Sequence, residues 1–169
     1  EIYGEVNHSG SHVSLARFYP EGTIVSAGLS KWCGAGGWRL GTFFFPPEMR
    51  WLLDAMATAA SETYTSVCAP IQHASVRAFQ DTPDIDAYLA NSRTVLRVLG
   101  QWCAKRLQQA GIAVDLPDGA FYLFPDFEPL RPDLEAKGIR NSTELCRQIL
   151  DATGVAVLPG SDFGRPPNE

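Results

Sequence analysis

The chain has 169 residues, of which 45% are hydrophobic and 20% charged, with a formal net charge of -5. That is the balance of a globular protein long enough to bury a core. No apolar run approaches the ~20 residues of a membrane span, and no clustered excess of Lys and Arg offers a nucleic-acid footprint.

The sequence opens at Glu1-Ile2-Tyr3, a strand-like stretch with no signal-peptide pattern, so a cytoplasmic location is expected. It closes on the loop Gly164-Arg165-Pro166-Pro167-Asn168-Glu169, and both ends read as cut. Pro20-Glu21-Gly22 reads as a turn. Thr23 to Leu29 is apolar and partly β-branched, a short buried strand running directly into Ser30-Lys31. Gly34-Ala35-Gly36-Gly37 is too flexible for a helix interior. A second strand is expected from Trp38 to Phe45, closed by Pro46-Pro47.

Pro47 suits the first turn of a helix. Met49, Leu52, Leu53 and Met56 follow at helical spacing. Residues 61–70 read as a loop, and a helix is expected from about Ile71 to Phe79. After a break at Asp81 to Asp84, the pattern from Ile85 to Ala110 is strongly helical and ends on Gly111 as a C-cap. A helix this long can bridge two domains. The boundary is placed within it, giving residues 1–90 and 91–169. The remainder reads strand (Ile112 to Leu116), strand (Ala120 to Phe124), helix, strand (Val155 to Leu158). Asn141 with Glu144 has the pattern of a capping box. This alternation argues for an α/β protein.

Cys33, Cys68, Cys103 and Cys146 lie 35, 35 and 43 residues apart, with no CxxC pair, so free thiols are expected. His8, His12 and His73 form no ligand spacing, and no metal is expected. Trp32, Trp38, Trp51 and Trp102 are scattered, as packing residues are. Asp81, Asp84 and Asp86 lack the glycine and terminal Glu of a calcium loop.

Lys31 sits where a buried strand meets a glycine-rich turn, a place lysines avoid unless paired or used. Desolvation favours a neutral lysine amine, which can attack a carbonyl and form a Schiff base. The plainer reading is a lysine at a strand end reaching solvent along its stem. Arg39 lies eight residues further on. A return strand would let both side chains converge on one anion, and Arg binds phosphate bidentately. The plainer reading of Arg39 is a pair with a nearby carboxylate. The glycines fail as a Rossmann fingerprint, because no helix follows, and as a phosphate loop, because no Gly-Lys-Ser/Thr follows.

Ser30-Lys31-Trp32-Cys33-Gly34-Ala35-Gly36-Gly37-Trp38-Arg39-Leu40-Gly41 closely resembles the Ser-Lys…Gly-Trp-Arg-Leu-Gly signature of class I/II aminotransferases, the aspartate aminotransferase superfamily. Asp118-Gly119-Ala120-Phe121-Tyr122 and Val155 to Gly164 resemble two further segments of that family, in order. The resemblance implies part of a fold type I PLP-transferase large domain, with a mixed, mostly parallel sheet, followed by a smaller α+β C-terminal domain. It implies pyridoxal 5'-phosphate bound covalently by Lys31, with Tyr3 on the cofactor's phenolic oxygen and Arg39 on its phosphate. The family usually has a phosphate-binding Ser or Thr three residues before the lysine. Here that position is Gly28, which leaves Ser30 or the backbone for the task. Thr65-Ser66 with Pro70-Ile71-Gln72 resembles the loop that approaches a partner subunit, so a homodimer is expected.

The implied reaction is transamination between an amino acid and a 2-oxo acid, Lys31 carrying the proton. The same residues also suit a β-lyase, a synthase or a catalytically silent cofactor-binding protein. The family's pyridine-nitrogen Asp would sit just before Glu1 and its carboxylate-binding Arg shortly after Glu169. Little turnover is therefore expected of these residues by themselves.

Overall fold

The apolar run before Lys31 forms a strand over Val25–Gly28 (β1), which pairs antiparallel with Gly41–Phe44 (β2). The register runs from Val25 opposite Phe44 to Gly28 opposite Gly41. The pairing is shorter than the pattern suggested at both strands. Thr23 spends its N–H closing the 3-10 turn Pro20–Gly22. Trp38 belongs to a second 3-10 turn, Gly36–Trp38, and Arg39 then adopts a left-handed φ of 54°. The expected strand start at Trp38 therefore moves to Gly41. The computed structural model describes residues 1–9 and 11–166, and Pro167 to Glu169 of the expected C-terminal loop lie outside them.

The helices are α1 (Arg50–Thr63), α2 (Ala69–Ala78), α3 (Pro83–Gln109), α4 (Arg131–Ala136) and α5 (Ser142–Thr153). Pro47 lies in a 3-10 turn, Pro47–Met49, that leads into α1. The helix is rich in Ala, a strong helix former, and Arg50 pairs with Asp54 one turn on at 2.9 Å. Pro70 sits in the first turn of α2, where its missing N–H has no helical partner to lose. Arg77 grips Asp84 with both oxygens at 2.8 Å, tying α2 to the start of α3. Asn141 caps α5 by accepting from the Glu144 N–H at 2.9 Å, and Glu144 accepts from the Arg140 N–H at 2.7 Å. The short helix α4 was not legible in the apolar pattern.

Four expected strands do not form among the described residues. Glu1 to Tyr3 turns directly into a 3-10 helix, Gly4–Val6, because Gly4 and Val6 donate back to Glu1 and Tyr3. Ile112 to Leu116 and Ala120 to Phe124 hold only isolated bridges nearby, Ala113 to Asp126 and Asn7 to Gly119. Pro117 and Pro125 lack the N–H a ladder needs. Ala120 has a φ of 55°, which breaks the extended run. Val155 to Leu158 finds no ladder partner among the described residues.

The chain forms two compact units. The first comprises Glu1–Trp102 with Leu116–Leu123. Its core is Val6, Leu29, Trp32, Ala35, Leu40 and Leu89, with Tyr3, Cys33, Ile71, Ile85 and Ala120 packed against it. Leu29 is fully buried (0%) at the end of β1. The second unit comprises Cys103–Asp115 and the chain from Phe124 onwards. Ala104 is its buried residue, and Phe124 meets Phe163 edge to face at 6.1 Å. The apolar stripe of α1 is only half covered, and Trp51 is 69% exposed. No helix among the described residues is long and apolar enough to cross a membrane.

Candidate active site

Lys31 follows the buried Leu29 by two residues, in the tight loop that joins β1 to β2. Leu29 fixes this loop from both sides: its N–H donates to Leu40 at 3.4 Å, and its carbonyl accepts from Ala35 at 3.1 Å. The half-buried Lys31 Nζ lies 5.8 Å from the ring centre of Tyr3 and 5.9 Å from that of Phe121. These are cation–π distances. Lys31 has no carboxylate partner among the described residues.

A second segment reaches this amine from far along the sequence. The Ala120 N–H donates to Val6 at 2.9 Å and the His8 N–H to Asp118 at 2.9 Å. The His8 ring closes the same seam, with Nδ1 2.9 Å from the Pro117 carbonyl and Nε2 3.0 Å from that of Ala120. The seam brings Phe121 and Tyr122 to Tyr3. Tyr3 packs edge to face on both rings, at 5.9 Å and 5.5 Å, and its hydroxyl is 2.5 Å from that of Tyr122. The bond to Tyr3 holds the Tyr122 phenol above the ordinary tyrosine range. Arg93, on α3, holds the 3-10 turn that follows Tyr3 by donating to the Glu5 carbonyl at 2.8 Å and to its carboxylate at 3.1 Å.

Of the four residues singled out in the sequence, the structure brings Tyr3 and Lys31 together directly. Ser30 is the neighbour of Lys31 in the loop, half-buried, and its hydroxyl has no hydrogen-bond partner among the described residues. Arg39 lies before the return strand and not on it. Its guanidinium is exposed and donates to the Gly36 carbonyl at 2.9 Å. It has no carboxylate partner among the described residues, so the plainer reading of a structural ion pair does not hold. The Lys31 amine beside the Tyr3 and Phe121 rings, with the Tyr3–Tyr122 hydroxyl pair and the Ser30 hydroxyl next in the loop, makes a donor set that fits a flat aromatic anion.

The position of Gly28 explains one departure from the signature. A Cβ there would stand 2.8 Å from the Leu40 carbonyl, which belongs to the paired backbone, and 3.3 Å from Gly41 Cα. No hydroxyl-bearing side chain fits without moving β2. Gly28→Ser is expected to destabilise the protein by about 1–3 kcal/mol, read as a lower urea midpoint. An unchanged midpoint would show that the hairpin can open at Gly28.

Sequence reasoning did not weigh His8 or Tyr122 as site residues. His8 carried no ligand spacing, and its two carbonyl partners lie 109 and 112 residues away. Tyr122 was visible only as part of a motif. The turn at Asp118-Gly119 with two aromatics after it was the available signal.

The Lys31 amine, in the loop after β1, thus lies against aromatic rings with no carboxylate partner among the described residues. The sequence profile of the family described as "Aminotransferase class I and II" matches residues 1–168. The chain belongs to that family. An asparagine–oxo-acid transaminase of Streptococcus mutans is 31% identical over 182 positions, which cover 99% of this chain and 42% of that protein. The aspartate/prephenate aminotransferase of Thermus thermophilus is 31% identical over 163 positions, covering 96% of this chain and 39% of that protein. Among solved structures, a tetra mutant of Thermus thermophilus aspartate aminotransferase superimposes with a TM-score of 0.82 at 29% identity, over 96% of this chain and 42% of that one. The aromatic aminotransferase of Pyrococcus horikoshii does so with a TM-score of 0.80 at 29% identity, over 98% and 42%. The α/β fold is that of fold type I aminotransferases. The chain spans about two fifths of the length of the curated relatives it matches.

Proposed function

We propose that the whole protein transfers an amino group between an amino acid and a 2-oxo acid, with pyridoxal 5'-phosphate held by Lys31. The observation that carries this reading is the Lys31 amine, which has aromatic rings and no carboxylate around it among the described residues. Pyridoxal phosphate, when bound, supplies an electron sink. The chain's own residues supply the rest. Lys31 Nζ would hold the cofactor and, as a free amine, would take the substrate's α-proton. The Tyr3 hydroxyl would donate to the cofactor's phenolic oxygen. Arg39 presents a planar, permanently charged guanidinium to the phosphate, and the Ser30 hydroxyl is open to the same group.

Residues 1–90 are read as part of the cofactor-binding large domain and 91–169 as part of the small one. The resemblance supports a cytoplasmic homodimer, with the loop at Thr65-Ser66 facing the partner's site. Thr65 holds a left-handed φ of 69°, uncommon for a β-branched residue, and strain of this kind clusters at functional loops.

The test is spectroscopic. The whole protein should show a visible band near about 410–430 nm with pyridoxal phosphate, and borohydride should fix the cofactor onto the peptide carrying Lys31. Amino-acid addition should then convert the unreduced protein to its pyridoxamine form. Label on a different lysine would overturn the assignment of Lys31. A band without that conversion would overturn transamination.

A further inference from the structure

Tyr122 has no part in the reading above, yet its hydroxyl stands 2.5 Å from that of Tyr3. That is at the short end for an O–H···O bond. The contact is held from several directions. The Tyr122 ring lies 4.7 Å from Phe121 and meets Tyr3 at an interplanar angle of 76°. The backbone two residues earlier is clasped by Val6 and by the His8 ring. Both phenols belong to the first compact unit, together with Lys31.

We propose that Tyr122 is a positioning residue: its hydroxyl donates to the Tyr3 oxygen and so directs the Tyr3 proton outward, toward whatever anionic oxygen is bound beside Lys31. Two phenols sharing one short bond can place the bridging proton either way. The bond to Tyr3 is the main cause of the raised Tyr122 value, which means that Tyr122 keeps its proton and shares it with Tyr3. The nearby Lys31 ammonium works in the opposite direction on Tyr122, and more weakly. A hydroxyl that accepts at its oxygen becomes a stronger donor through its own hydrogen, because bonds in a chain polarise one another. Without Tyr122, the Tyr3 O–H can rotate toward solvent. This proposal rests on the assignment of pyridoxal phosphate to Lys31.

Two measurements on the whole protein test it. The first uses protein labelled with carbon-13 at the tyrosine Cζ and stripped of cofactor, so it reads the pair without activity. Tyr3→Phe is expected to bring the Tyr122 titration down into the ordinary tyrosine range. A Tyr122 titration unmoved by Tyr3→Phe overturns the proposal. The second uses the cofactor-loaded protein. Tyr122→Phe keeps the ring and its packing and removes only the hydroxyl. It is expected to lower kcat about 3- to 10-fold, the worth of one hydrogen bond, with KM changed by less than about twofold. A wild-type kcat in Tyr122→Phe means that the pair is structural, and overturns the proposal. If Tyr122→Phe does not fold, the titration decides. Failure of borohydride to mark Lys31 in the wild-type protein would remove the cofactor assignment itself, and this proposal with it.

Discussion

Lys31→Ala in the whole protein is expected to lower kcat/KM for transamination by at least about 10³-fold, the scale of a lost general base. Two functions leave with one side chain: the covalent hold on the cofactor and the group that takes the α-proton. Lys31→Arg should fall as far, although it keeps the charge. A guanidinium remains protonated at any accessible pH and cannot act as the nucleophile. Both variants should still bind pyridoxal phosphate, because Tyr3, Ser30 and Arg39 remain, and neither should retain label after borohydride. A variant with more than a tenth of wild-type turnover would show that another group moves the proton.

The second large effect concerns stability. Leu29→Ala should destabilise the protein by about 2–5 kcal/mol, measured as the shift in urea unfolding. Leu29 is fully buried and shares a cluster with Val6, Trp32, Ala35, Leu40 and Leu89. Removing its side chain leaves a void that these neighbours can fill only by moving the loop that carries Lys31. Leu29→Met conserves volume and should stay within about 1.5 kcal/mol of wild type. A loss under about 1 kcal/mol for the alanine variant would mean that the cluster is not packed as described. Turnover at low denaturant should fall further in Leu29→Ala than stability alone explains, because small displacements of a catalytic group are expensive.

The helices were the legible part of this fold. The apolar spacing from Ile85 to Ala110 corresponds to α3, and Asn141 with Glu144 marked the start of α5 by a local bond that the structure contains. Helices announce themselves because their bonds close within four residues. The strands were less legible. An apolar run specifies a face to bury, and only a partner makes it a strand. Val25 to Gly28 has that partner in β2, whereas Val155 to Leu158 has none among the described residues. At the site, Lys31 and Arg39 stood out because charge is conspicuous in an apolar and glycine-rich setting. Tyr122 and His8 did not, since a Tyr or His acquires meaning only from what it faces. Here those partners are more than a hundred residues away.

The left-handed backbone at Arg39 has a consequence for how this protein could be improved or degraded. An L-residue other than Asn or Asp at a φ of 54° carries strain on the order of 1 kcal/mol, which achiral glycine avoids. A sequence optimised for heat resistance alone would place glycine there, and each round of such selection would favour losing the guanidinium. On the proposed reading that guanidinium is the phosphate anchor. Thermal hardiness and cofactor retention are therefore opposed at this one codon. On that reading, Arg39→Gly would relieve the backbone and loosen the cofactor in the same step.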